Sequence, residues 1–174
     1  MQLDQALSVT QIFGYIAFAM GVSSFLQKSD LRFKIFMAAE CVSYVIHFWL
    51  LGNYTAVASS AVSVGRSVAA IHTRSIWVAL FFVALSLGCG IWLATSWLSF
   101  LPIIASCVGT LSLFLLQGIR MRCFMLIGTC LWLLNNILSG SIGGTMLEAT
   151  VLATNLLTIR RLQLDQIRKI SKST

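Results

Sequence analysis

A carboxyl, a phenol and an imidazole fall on one helical face of an apolar stretch. They are Glu40, Tyr44 and His47, at i, i+4 and i+7 within residues 32–52. Groups so spaced can hold a polar solute, bind an ion or pass a proton. Other apolar stretches carry matching polar stripes: Ser59, Ser63 and Arg66; Trp132, Asn135 and Ser139; Glu148 and Asn155. Charged side chains inside a bilayer are costly and turn toward protein or water. Glu40, Arg66 and Glu148 are therefore the first candidates for function.

Their depths follow from the rise of a helix. Glu40 lies eight residues past Arg32 and Arg66 eight before Arg74. Each then sits about 12 Å from its basic boundary residue, which predicts a Glu40–Arg66 ion pair. Such a pair either belongs to a pathway or only locks the bundle; an alternative is that Arg66 snorkels to the headgroups. Glu148 precedes Arg160 by twelve residues, about 18 Å of helix. His47 lies at a similar level, five residues before Gly52. Together they could bind or relay a proton. The plainer alternative is a protonated Glu148 hydrogen-bonded to a neighbouring helix.

The elements that must position these groups are membrane spans. The 174 residues are 58% hydrophobic and 10% charged, against roughly 45–50% and about 25% in soluble domains. Seven apolar segments are predicted as helices, at 7–26, 33–51, 54–71, 76–93, 98–116, 123–138 and 142–159. The first is expected to be a retained span, because no basic stretch precedes it. Arg66 apart, the 12 basic residues all fall at alternate connections and in the C-terminal tail. The positive-inside rule then predicts the N-terminus outside and the C-terminus in the cytoplasm.

A shift of 88 residues maps the chain onto itself without a gap. Arg32, Lys34, Phe36, Met37, Leu50 and Gly52 meet Arg120, Arg122, Phe124, Met125, Leu138 and Gly140. Tyr44 meets Trp132 and His47 meets Asn135. Segments one to three thus map onto five to seven, with segment four left over. This 3+1+3 plan predicts two parallel three-helix repeats, related by an axis along the membrane normal. The expected units are 1–72, a linker span over 73–96, 97–161, and a basic tail over 162–174. Gly14 meets Pro102, so matching first helices carry a helix-weakening residue and a candidate hinge. Equally, Pro102 could sit in the first turn, where proline is tolerated.

The residues resemble the YgjV family of bacterial inner-membrane proteins. The matching stretches are RFK (32–34), HFWLLG (47–52), RSVAAIHTRSIWV (66–78), MRC (121–123), NNILSGSIGGTMLEA (135–149) and NLLTIRR (155–161). The resemblance implies a multi-pass protein of the inner, cytoplasmic membrane, with no established substrate. More distantly, the 3+1+3 plan resembles the SWEET, PQ-loop and KDEL-receptor group. That resemblance implies a central site lined by Tyr44 and Trp132 on the second helix of each repeat, and by Asn155 on a third helix. The Pro-Gln pair of PQ-loop proteins is missing, since Ile103 follows Pro102.

Other chemistries find no support in the sequence. Cys41, Cys89, Cys107, Cys123 and Cys130 lie in apolar segments without CxxC spacing, so neither a metal site nor a disulfide framework is expected. No nucleophile–base pair is legible, and Gly143-Gly144 lacks the context of a phosphate loop. No cofactor, enzymatic activity or nucleic-acid partner is expected. The net charge of +7 is explained by topology. The leading expectation is a transporter or facilitator of a small polar solute working by alternating access. The alternative is a receptor or partner-binding protein on the same fold. The expected partners are the lipid bilayer and the solute; a homo-oligomer stays open.

Overall fold

The computed structural model describes residues 9–50, 52, 54–93, 97–138 and 142–171. These form seven α-helices and, among the described residues, no strand. They are α1 (Val9–Leu26), α2 (Asp30–Leu50), α3 (Tyr54–His72), α4 (Ile76–Leu93), α5 (Phe100–Leu115), α6 (Gly118–Leu138) and α7 (Ile142–Ser171). A 3₁₀ turn, Trp97–Ser99, leads into α5. Helices α1, α2 and α6 are long and apolar enough to cross a membrane, and α4 and α5 contribute shorter apolar helices.

Several ends differ from the apolar runs that mark them in sequence. Helix α2 begins at Asp30 and α6 at Gly118, so Arg32, Lys34, Arg120 and Arg122 lie on helices and not in loops. Helix α7 runs on to Ser171. The segment expected as a separate tail is thus helical over 162–171; its last three residues lie outside those described. Its Leu, Gln, Arg and Lys residues are good helix formers, and Asp165 forms a salt bridge with Lys28 beyond the end of α1. Two glycines turn the chain with positive φ, Gly52 at 71° and Gly118 at 55°, a region that residues with a Cβ avoid.

Packing follows a simple order. Helix α2 lies between α1 and α3, and α6 between α5 and α7. Helix α1 also packs on α7, and α3 touches α5, so six helices close into a ring. Helix α4 stands outside it, mainly against α5. The core gathers at one end, where α1, α3, α5 and α7 finish and α2, α4 and α6 begin. Phe25, Phe33, Ala70, Ala79, Leu113, Phe114, Met121, Met125 and Val151 form it, one or two from each helix. Phe33 and Phe25 meet edge to face at 5.1 Å. Among the described residues this end carries every lysine and arginine except Arg66, and it is called the basic end below.

Candidate functional site

Glu40 of α2 is the hub of the sequence-predicted charges: it interacts electrostatically with Arg66 of α3 and with Glu148 of α7, and Tyr44 of α2 interacts with both acids. The Glu40 carboxylate rests against Gly21 of α1, so closely that a Cβ there would lie 2.8 Å from Oε1. A larger residue at that crossing would push the carboxylate aside.

Glu40 and Arg66 do not form the predicted ion pair: no contact within 4 Å joins them, and Arg66 turns to α5 instead. There its Nη1 donates to Ser106 Oγ at 3.3 Å and to Thr110 Oγ1 at 3.2 Å. Thr110 is completed by donating its own proton to the Ser106 carbonyl at 2.7 Å. Arg66 Nε is buried without a partner among the described residues. The physical reason for the difference is rotation. Equal depth puts two side chains at one level, but their azimuth about each helix decides whether they meet.

His47 and Glu148 do not pair either. His47 Nδ1 lies 2.7 Å from the Thr10 carbonyl of α1. A carbonyl only accepts, so that nitrogen carries the proton. The ring lies over Gly14, where a Cβ would meet it at 3.1 Å. Gly14 is therefore a close-approach position that seats the imidazole. Pro102 is the third residue of α5, behind a 3₁₀ turn. In that first turn its missing N–H leaves no helical bond unmade.

The remaining predicted residues separate. Tyr44 stacks on Phe48 at 5.6 Å, while Trp132 is 38% exposed on α6. Asn135 lies three residues beyond Trp132 on the same helix, half-buried. Among the described residues no hydrogen bond or ring contact joins Tyr44 to either of them. Asn155 is fully buried toward the basic end, where its Nδ2 donates to the Arg122 carbonyl at 3.0 Å. It ties α7 to α6.

Sequence reasoning missed two buried cations. Lys34 is 6% exposed and Arg122 fully buried. Lys34 Nζ donates to the Ala70 carbonyl at 2.7 Å, near the end of α3. Arg122 Nη2 donates to the Gln27 carbonyl at 2.9 Å, just past α1, while its guanidinium lies 3.8 Å over the Phe33 ring. Cations suit the carbonyl-rich C-termini of helices. The end of α1 is further capped by Thr158 Oγ1, which donates to the Phe25 carbonyl at 2.7 Å, and by Arg161 to Leu26 at 3.5 Å. Ser106 and Thr110 were also missed, although their i, i+4 spacing on an apolar helix is the same polar-stripe signal.

An apolar seven-helix bundle with mid-bundle charges, and with cations gathered at one end, has the architecture of a polytopic membrane protein. A family model described as bacterial inner membrane protein matches residues 8–166. The chain is also 38% identical over 157 residues to inner membrane protein YgjV of Escherichia coli (strain K12), covering 90% of this chain and 86% of that protein. The chain belongs to this YgjV family, and it is a multi-pass protein of the bacterial inner membrane. No solved structure matches it.

Proposed function

We propose that the protein is a secondary transporter or facilitator of a small polar solute, working by alternating access between two parallel three-helix repeats. In this reading α1–α3 and α5–α7 are the repeats, α4 is the linker, and the basic end faces the cytoplasm. The closed ring supports it, because the α1–α7 and α3–α5 contacts are exchanged when the repeats are exchanged. So does one hydrogen bond: the Gly118 N–H donates to Asp30 Oδ2 at 2.7 Å, between positions 88 apart. Equivalent positions of two repeats touch only close to the axis that relates them.

The observation that carries the reading is the coupling of Glu40 to charges from both halves, Arg66 of α3 and Glu148 of α7. Uptake into proteoliposomes, screened against charged, zwitterionic and neutral metabolites, tests it. Flux of at least one solute, lost in Glu148→Gln or Arg66→Gln, is the expected result. No flux for any solute in the panel removes the transport reading.

A receptor reading has its own observation. The basic end is closed by packed side chains and by hydrogen bonds between the halves. A receptor that holds its ligand without passing it would keep that end shut. Cysteine-accessibility labelling from the cytoplasmic side separates the two. A transporter exposes positions near Arg122 during turnover, and a receptor does not.

A further inference from the structure

Arg66 is held in an unusual way for a cation inside a membrane bundle. Its contacts to Ser106 and Thr110 are to neutral hydroxyls, which position the guanidinium without offsetting its charge. Among the described residues no carboxylate lies within ion-pair distance of it, and its Nε is buried without a partner. A buried charge left so is expensive unless something else completes it. On the neighbouring helix α2, Glu40 rests on Gly21 and interacts electrostatically with Arg66 on one side and with Glu148, of the other half, on the other.

We infer that this cluster is a binding site for a small zwitterion. Arg66 receives its carboxylate and Glu40 with Glu148 receive its ammonium, between α3–α5 on one side and α2–α7 on the other. The inference rests on the reading of this cluster as the solute site. The charges choose the class. An anion alone would leave two carboxyls facing it, and a cation alone would leave Arg66 uncompensated. A neutral solute would compensate none of the three. A guanidinium presents a planar fork of donors suited to a carboxylate. The Gly21 contact fixes where the cationic group sits, because it sets the position of the Glu40 carboxylate.

The test is binding to the purified full-length protein in detergent, by calorimetry and thermal shift. The probes are glycine and β-alanine, set against acetate, methylammonium and acetamide. Saturable binding of glycine or β-alanine, with none of the three controls, is expected. Arg66→Gln should weaken it about tenfold or more, as removal of one partner of a buried charge pair does, and Arg66→Lys should restore part of it. Gly21→Ala displaces the Glu40 carboxylate while leaving every charge in place. It should weaken binding several-fold, and it keeps the question open to measurement if Arg66→Gln does not fold. Acetate or methylammonium binding as well as the zwitterions overturns the inference, as does no binding by folded protein. Zwitterion binding without uptake in proteoliposomes would keep this site and remove transport. Uptake of a neutral solute without zwitterion binding would do the reverse.

Discussion

At the basic end every helix contributes a buried side chain; beyond the level of Ala17, Ser43 and Thr129 the bundle is different. There, among the described residues, only Ile103 and Ala105 of α5 are buried. Among the described residues the basic end also holds most of the polar bonds that cross between the two halves, among them Arg122 to Gln27, Gly118 to Asp30, Thr158 to Phe25 and Lys28 to Asp165. The difference teaches where stability resides. Among the described residues, one end is cross-linked by apolar packing and capped carbonyls, while the other has fewer buried side chains. The mid-bundle charges lie at the junction between the two.

Substitutions can break or sharpen that contrast. The largest effect is expected from Phe33→Ala, which opens the core at the basic end and removes the surface beneath Arg122. It should lower unfolding stability in detergent by about 3–5 kcal/mol. The matched change at the other end, Trp92→Ala at a side chain 85% exposed, should stay within about 0.5 kcal/mol. Equal losses at both positions would dissolve the contrast.

Gly90→Ala probes the one place where the far end is tight. A Cβ there would lie 2.6 Å from Ile103 Cγ1, an atom close to the backbone of α5. Separating α4 from α5 should cost about 1–3 kcal/mol, measured by the same unfolding assay. Asp30→Ala leaves the Gly118 N–H without its acceptor and should cost about 1–3 kcal/mol. Asp30→Asn, which still accepts, should lose less. If the two variants unfold together, the bond between the halves contributes little.

The smallest effect belongs to the exposed Lys28–Asp165 bridge. Its hydrogen bond from Lys28 holds the Asp165 carboxyl below the usual carboxylate range. The folded pKa is depressed, so the contribution is present above the ordinary aspartate value and is lost as the pH falls through the folded one. Comparing the acid limb of the stability–pH curve with that of Asp165→Asn should show only a slight flattening in the variant, since exposed pairs are screened. A large change would mean that the extension of α7 is held mainly by this contact.

The helices were legible because lipid forces each span to be a long apolar run. The depths expected for Glu40, Arg66 and Glu148 rest on a related constraint: rise per residue is fixed. What could not be read was azimuth. Arg66 faces Ser106 and Thr110 and not Glu40, and His47 faces Thr10 and not Glu148. Those choices are set by how neighbouring helices are rotated, which one chain's spacing does not encode. Lys34 and Arg122 were read as markers of the membrane boundary. They are buried because α2 and α6 begin before them, at Asp30 and Gly118. Their charges reach helix-end carbonyls that only the folded packing brings near.

The closing turn of α1 bears on how the chain is made. Its carbonyl acceptors, and that of Gln27 just beyond, are met by donors 95 to 135 positions further along. During synthesis the first helix therefore enters the bilayer with an unfinished terminus, which is completed only when the sixth and seventh have followed. A chain released early would display that open terminus, and a quality-control protease could recognise it as incomplete.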